Sequence, residues 1–210
     1  MIFRNRRTAG IDLGLALSPS YANRRDVLVL GLPRGGVPVA YEVAKALGCP
    51  FDVFVVRKLG TPGREELAMG AIASGGLRVL SADVIEFYRI PAGTVDAVIE
   101  REQRELARRE NLYRGNRPPA IVTGRTVVLV DDGLATGSTM KAAIGGLRQL
   151  HPAKVVVAVP TGAAEVCAEF REIADDVVCL ATPEPFISVG AWYEDFRQTT
   201  DEEVLSLTAT

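Results

Sequence analysis

Val127-Val128-Leu129-Val130-Asp131-Asp132-Gly133-Leu134-Ala135-Thr136-Gly137-Ser138-Thr139-Met140 is the stretch that decides the fold. Its four aliphatic residues predict a strand buried on both faces, as in a parallel sheet. Two carboxylates follow, at the strand end where open α/β sheets place their ligands. A loop of small and hydroxyl residues then enters a helix with apolar residues on one face. That apolar face comprises Met140, Ala143, Ile144, Leu147 and Leu150.

The same order of parts indicates a ligand chemistry. Backbone N–H groups of residues 136–139, at the positive end of a helix dipole, suit a phosphate monoester. We expect Gly137 to let the backbone approach this anion closely. Carboxylates repel a phosphate, so Asp131 and Asp132 are expected to face vicinal hydroxyls, a divalent cation, or both. A ligand with a phosphate at one end and a chelated diol at the other is a ribose 5-phosphate derivative.

This stretch resembles the PRPP-binding motif of the type I phosphoribosyltransferases, because strand, acid pair, Thr/Gly/Ser loop and helix occur in register. The competing interpretation is an acidic turn followed by an ordinary Ser/Thr helix cap. The resemblance implies Mg²⁺ as cofactor and catalytic roles for Asp131 and Asp132, which would meet the metal mostly through ligand hydroxyls or water. It also implies that the 5′-phosphate is bound by Ala135, Thr136, Gly137, Ser138 and Thr139.

Length and composition set the outer limits. The 210 residues predict a single domain over 1–210, with a core at about 26–180 and hood or insert elements at about 1–20, 82–115 and 183–210. Twenty-four basic residues against 26 acidic ones give no reason to expect nucleic acid as a partner. No apolar run is long enough for a membrane helix, and no signal peptide is evident. Three widely spaced cysteines favour a reducing, cytoplasmic location.

A second strand–loop–helix unit precedes the first. Residues 26–30 predict a strand, and a Gly-rich loop and a helix follow. Val37-Pro38 stands where a P-loop requires Lys-Ser/Thr, so a Walker site is rejected. The loop resembles the family's pyrophosphate loop, with Arg34 as the phosphate contact; a Pro/Gly turn with a surface arginine is the alternative. The implied pyrophosphate-binding residues are Pro33, Arg34, Gly35 and Gly36.

Residues 57–66 contain Gly, Pro and charges without an apolar period, which predicts a mobile loop. Arg57 and Lys58 resemble the catalytic Arg-Lys pair that opens the lid of orotate and adenine phosphoribosyltransferases. Thr61 stands where those enzymes usually carry a lysine, and Arg64 is a candidate substitute. Residues 67–81 then predict a hairpin, and a long helix with Thr94 as its cap follows.

The two ends of the chain carry further candidates. Arg4, Arg6 and Arg7 predict a solvated helix start, with the alternative that one arginine reaches the anionic ligand. The C-terminal aromatic residues beside an acid suit a nucleobase, although they could equally pack an edge of the core. By resemblance to the Phe…Val-Gly…Asp segment of purine-salvage enzymes, Phe186, Val189-Gly190 and Asp195 correspond if one inserted residue is allowed. With the aromatic Trp192 and Tyr193, the predicted base or hood residues are Phe186, Trp192, Tyr193 and Asp195.

Alternating strands and helices predict an α/β protein of three layers, α/β/α, with a mainly parallel twisted sheet and a small hood. The resemblance implies transfer of 5-phosphoribosyl from PRPP to a nitrogenous base with release of pyrophosphate. Ala135 replaces the aspartate of hypoxanthine and guanine enzymes, which argues against that subclass. Two alternatives are open. One is a PRPP-binding regulator with little or no transferase activity, and the other is a metal-dependent phosphatase or nucleotide hydrolase. Many family members are dimers, so a homodimer stays open.

Overall fold

The computed structural model describes residues 2–115 and 117–209, without the side chain of Glu66. Met1, Asn116 and Thr210, which the expected domain includes, lie outside the described residues. The elements in chain order are α1 Arg6–Tyr21, β1 Val27–Gly31, α2 Gly36–Leu47, β2 Phe51–Val53, β3 Val56–Thr61, β4 Arg64–Ala73, β5 Leu77–Leu80, α3 Ala82–Phe87, α4 Ala92–Arg114, β6 Thr126–Val130, α5 Ser138–Arg148, β7 Lys154–Thr161, α6 Ala164–Phe170, β8 Asp176–Ala181, a 3₁₀ turn Val189–Trp192 and α7 Asp201–Thr208.

A parallel five-stranded sheet forms the centre, in the order β2-β1-β6-β7-β8. Its strands are aliphatic on both faces because both faces are covered by helices. Alternate residues of β6 divide between the two: Val127 and Leu129 pack in a cluster with α5 and α6, whereas Val128 and Val130 pack with α1 and α2. The predicted three-layer α/β/α architecture with a mainly parallel sheet is confirmed.

Helix α1 lies in the stretch 1–20 that was expected to form a hood or insert element, and that assignment stays a prediction. Leu13 and Leu17 are fully buried against α2 and the central sheet, so α1 is part of a core layer. The helices approach closely at Gly10, where an added Cβ would lie 2.7 Å from the carbonyl oxygen of Val39. A small residue is therefore required at this crossing.

Residues 57–66 are a strand and a turn in this structure, where the sequence predicted a mobile loop. Strand β3 pairs antiparallel with β4, and β4 pairs antiparallel with β5, which confirms the hairpin predicted at 67–81. Leu59 is fully buried and packs with Met69 and with the apolar face of α4. Cross-strand pairing and this burial supply the order that a short charged segment does not reveal by its own pattern.

The long helix α4 begins at Ala92 with Pro91 as its N-cap. Thr94, which the sequence analysis predicted as the cap, lies inside the first turn. Its apolar face, with Val95, Ile99 and Leu106, packs in one cluster with β3 and β4 and with Val204 of α7. The inserts at 82–115 therefore cover the second, antiparallel sheet. Among the described residues, the helices lack the combination of length and apolar character that a membrane crossing needs.

Candidate functional site

The acid pair stands at the carboxyl end of β6, in the middle of the central sheet. The backbone N–H of Asp132 donates to Asp131 Oδ1 at 2.9 Å. Arg6 Nε donates to Asp132 Oδ2 at 2.8 Å, and the hydroxyl of Tyr193 donates to the carbonyl oxygen of Asp132 at 2.6 Å. Three distant parts of the chain thus meet at one residue.

Burial and like charge act together on these two acids. Burial, followed by the charge of Asp132, holds the pKa of Asp131 well above its usual range. Burial also raises the pKa of Asp132, against the opposing effect of Arg6. Two adjacent carboxyl groups kept out of water in this way are costly to the fold, which is typical of functional sites.

The predicted phosphate cradle forms the turn between β6 and α5. Gly137 caps α5 with φ of +70°, and Thr136 Oγ1 lies 2.9 Å from Ser138 Oγ, so the hydroxyls cluster at the helix start. Thr139 and Thr136 are exposed to solvent. A Cβ added to Gly137 would lie 2.4 Å from Cε2 of Phe170, whereas the close approach of an anion to this glycine stays a prediction. Glycine at this position makes room for Phe170 of α6 and also permits the left-handed backbone conformation.

The predicted pyrophosphate loop lies directly against the acid pair. A Cβ added to Gly35 would lie 2.0 Å from Asp132 Oδ2, so only glycine fits between loop and carboxylate. Helix α2 begins at the next residue, and the N–H of Gly36 donates to the carbonyl oxygen of Leu32 at 3.0 Å, which closes the loop. The Pro33–Arg34 peptide bond is cis. Arg34 Nη1 lies 3.8 Å from Asp201 Oδ1, and both side chains are about one third exposed.

Arg57 and Lys58 are not joined to this cluster. Arg57 Nε and Nη2 both donate to Glu102 Oε2, at 2.9 and 2.6 Å, which ties β3 to α4. Within the described residues, no hydrogen bond or ion pair links either side chain to the acid pair. The predicted catalytic role of these two residues therefore stays a prediction.

The C-terminal segment closes the edge of the site with a stack of aromatic rings. Tyr193 lies between Phe3 and Phe196, with ring centroids 5.6 and 5.0 Å apart. Phe3 also pairs with Tyr193 in a parallel β-bridge, which joins the two ends of the chain. Trp192 Nε1 is buried and has no hydrogen-bond partner within the described residues.

The predicted base-binding residues divide between two cavities. Phe186 lines one of about 520 Å³ with Ala163 and Glu165. Asp195 lines another of about 530 Å³, which Arg6 also lines. Asp195 is paired with Arg197 at 2.7 Å, and this contact lowers its pKa to about 2. The sequence analysis grouped Phe186 with Asp195, whereas in the structure they line different cavities.

Arg6 and Phe196 are site residues that the sequence analysis did not select. The guanidinium carbon of Arg6 lies 3.9 Å from the ring centroid of Phe196. The three N-terminal arginines were the available signal, and one of them does reach the site as the alternative interpretation held. Their spacing could not tell which, because that depends on how α1 packs.

Comparisons with known proteins agree with this geometry. A sequence model described as a phosphoribosyl transferase domain matches residues 14–193. A "putative phosphoribosyl transferase" of Mycobacterium tuberculosis is 49% identical over 205 residues, which cover 98% of this chain and 46% of the relative. The "bifunctional protein PyrR" of Chloroflexus aurantiacus is 36% identical over 129 residues, covering 60% of this chain and 65% of that protein. The chain thus spans about half the length of its mycobacterial relative.

Two solved structures resemble this chain to different degrees. The crystal structure of TT1426 from Thermus thermophilus is 44% identical with a TM-score of 0.89, covering 99% of this chain and 98% of that one. A hypoxanthine phosphoribosyltransferase from Staphylococcus aureus shares the fold alone, with 11% identity and a TM-score of 0.50 over 88% of this chain and 78% of that one. Since the domain model spans most of the sequence, this chain belongs to the phosphoribosyl transferase family.

Proposed function

We propose that this protein is a Mg²⁺-dependent phosphoribosyltransferase that moves the 5-phosphoribosyl group from PRPP to a nitrogenous base and releases pyrophosphate. The observation that carries the proposal is the contact between the pyrophosphate loop and the acid pair at Gly35 and Asp132. The loop and the acid pair, about 100 residues apart in sequence, lie against each other and precede the N-termini of α2 and α5. A diol flanked by a phosphate and a diphosphate matches this arrangement.

The proposed roles follow from the chemistry of each part. The N–H groups and hydroxyls of residues 136–139 bind the 5′-phosphate. Asp131 and Asp132 hold the ribose hydroxyls and stabilise positive charge as it develops on the ring. As the C1–oxygen bond breaks, its electron pair leaves with the diphosphate, which the loop at 33–36 holds. The bond from C1 to the base nitrogen forms, and the proton that this nitrogen loses passes to solvent. The stack around Tyr193 excludes water from one side.

The residues present fit a Mg²⁺ site in which the protein supplies only one or two ligands. Asp131 and Asp132 are adjacent, buried carboxylates, but no group of three or more candidate metal ligands occurs in the described part of the chain. Mg²⁺ commonly takes one or two carboxylates together with water and substrate oxygens. When bound, the ion would neutralise charge on the diphosphate. The lack of a fuller ligand set also disfavours the hydrolase alternative.

The proposed acceptor is a nitrogenous base outside the hypoxanthine and guanine subclass, because Ala135 offers no carboxylate to take a proton from the base. The cavity of about 520 Å³ is lined by the ring of Phe186 together with Glu165, which suits a planar base with hydrogen-bonding edges. A cytoplasmic location and a homodimer remain predictions.

The test is calorimetric titration with PRPP, with and without Mg²⁺, for the wild type and for Asp132→Asn. We expect metal-dependent binding that the substitution weakens at least about tenfold, since a charged hydrogen-bonding group is lost. Asp12→Asn is the control, because it makes the same chemical change at an exposed position of α1. If the folded wild type does not bind PRPP, or if Asp132→Asn binds it as well as the control does, the proposal is wrong.

A second candidate, a PRPP-binding regulator with little or no transferase activity, is favoured by one observation. Arg57, a predicted catalytic cation, is engaged by Glu102 on α4. The discriminating measurement is pyrophosphate release in the presence of a panel of purine and pyrimidine bases. Tight PRPP binding without release for any base would favour the regulator, whereas release with one base would establish the transferase.

A further inference from the structure

Arg6, at the start of α1, occupies a position between the acid pair and the pyrophosphate loop. We propose that Arg6 binds the diphosphate group of the ligand and is the counter-charge that lets this group lie beside Asp131 and Asp132. The inference rests on the proposed function and adds to it a residue that lies more than 100 positions from the acid pair in sequence and outside both anion loops.

The position of Arg6 is fixed by the structure around it. Asn5 caps α1, accepting from the Thr8 N–H at 3.0 Å, so the helix start is well defined. Arg6 Nη1 donates to the carbonyl oxygen of Arg197 at 2.7 Å, and the guanidinium lies over the ring of Phe196. Its side chain is 12% exposed. A long side chain held on three sides loses little further freedom when a ligand binds.

The contact with Asp132 places this guanidinium where loop and acid pair converge. A Cβ on Gly35 would lie 2.0 Å from Asp132 Oδ2 and 3.2 Å from Arg6 Nε. The carboxylate, the arginine and the loop backbone therefore meet at a single point. A diphosphate seated on the backbone of residues 33–36 lies within the reach of Arg6.

Charge explains why a cation is needed here. Asp131 and Asp132 together bring two negative charges when ionised, and a diphosphate would add more. Within the described residues, Arg6 is the one basic side chain in contact with the pair. Without it, the repulsion between ligand and carboxylates would oppose binding in a site shielded from water.

Arg6 also has donors left for a ligand. A guanidinium carries five N–H groups, and its fork suits phosphate oxygens. The hydrogen bonds of Arg6 to described residues use Nε and Nη1, and none uses Nη2. The side chain lines the cleft of about 530 Å³ that Pro38 of α2 also borders.

The test separates the two ends of the ligand. Inorganic pyrophosphate with Mg²⁺ probes the diphosphate end, and ribose 5-phosphate probes the other end, each by calorimetric titration. For Arg6→Gln we expect pyrophosphate affinity to fall about tenfold or more, with ribose 5-phosphate affinity within about twofold of the wild type. Arg6→Lys should retain part of the pyrophosphate affinity, since it keeps the charge without the fork.

Arg7→Gln is the matched control, because the next residue is 72% exposed and pairs with Glu42 on α2. It should bind both probes as the wild type does. If Arg6→Gln does not fold, the pyrophosphate affinities of Arg6→Lys and Arg7→Gln are compared, and an equal affinity contradicts the role of Arg6. A wild type that binds neither probe overturns the proposed function itself.

Three results with a binding wild type overturn the role of Arg6 alone. The first is unchanged pyrophosphate affinity in Arg6→Gln. The second is an equal loss of affinity for pyrophosphate and for ribose 5-phosphate in Arg6→Gln, because Arg6 would then merely position Asp132. The third is tighter binding of ribose 5-phosphate, because Arg6 would then compete with the ribose hydroxyls for the carboxylate.

Discussion

Asp131 and Asp132 are two acids whose burial opposes the fold, which is consistent with the ligand role proposed for them. Both are largely shielded from water. The charge of Asp132 adds to the cost of ionising Asp131, and Arg6 partly offsets the cost of ionising Asp132. The hydrogen bond from the Asp132 N–H to Asp131 stabilises the arrangement only in part. Such strain is expected where a site is built to receive hydroxyls and a cation.

We therefore predict that Asp131→Asn raises the unfolding temperature of the ligand-free protein by about 2–4 °C, because it removes one of two buried like charges. The same change should abolish Mg²⁺-dependent PRPP binding. Differential scanning calorimetry and titration of one preparation check both effects. The exposed Asp12→Asn should change neither, and a lower unfolding temperature for Asp131→Asn would contradict the account.

At the scale of elements, the pyrophosphate loop and the turn after β6 act as one unit because of a missing side chain. Gly35 ends the loop, and α2 begins at the following residue. Its Cα faces Asp132 so closely that no Cβ fits. The proposed diphosphate and ribose sites therefore depend on glycine at position 35 to lie side by side.

Gly35→Ala should destabilise the protein and weaken PRPP binding, since either the loop or Asp132 must shift. Gly93→Ala is the control: no heavy atom lies within 4 Å of its added Cβ, and it lies in the first turn of α4. Alanine there should raise stability by up to about 1 kcal/mol, because it favours the helix. Urea unfolding and titration measure both variants, and equal behaviour of the two would refute the close-contact argument.

The strand β3 shows how an element can be hidden in its own sequence. Its charged and glycine residues have no strand period, yet Leu59 is buried and the backbone pairs with β4. Arg57, whose role at the ligand stays a prediction, binds Glu102 45 residues away. Local pattern could not predict either outcome, because both depend on α4 packing over the second sheet.

In the whole molecule, two buried tyrosines join layers that are distant in sequence. Tyr21 at the end of α1 donates to Asp176 at the start of β8, at 2.5 Å. Tyr113 of α4 donates to Asp201 of α7, at 2.6 Å. Burial first, and then the hydrogen bond to the acid, raises the pKa of each phenol to about 12.

These shifts predict the alkaline limit of the fold. A phenol whose pKa rises from about 10 in the unfolded chain to about 12 in the folded one stabilises the fold fully below pH 10. This contribution is lost as the pH rises towards 12. We expect the free energy of unfolding in urea to fall steeply over that range for the wild type, and less steeply for a Tyr21→Phe/Tyr113→Phe double variant.

The double variant should also be less stable at pH 8, where both hydrogen bonds are intact in the wild type. Tyr41→Phe is the control, because the Tyr41 hydroxyl has no hydrogen bond to the described residues. Parallel stability curves for the wild type and the double variant between pH 10 and 12 would show that these phenols do not set the limit.

The sequence by itself determined the parallel sheet, the acid pair after β6 and the two loops that begin α2 and α5. These features are local: runs of aliphatic residues, glycines and carboxylates in a fixed order specify strand, turn and helix wherever they occur. The shared edge of a parallel sheet then brings the loops together, so much of the candidate site could be predicted.

Only the tertiary structure decided which cations and rings complete that edge. Arg6 lies 126 positions before Asp132, and Tyr193 lies 61 positions after it. Their contacts depend on α1 packing against α2 and on the C-terminal segment pairing with Phe3. No local preference encodes such a meeting, because it is the packing of whole surfaces that selects the partner of each side chain.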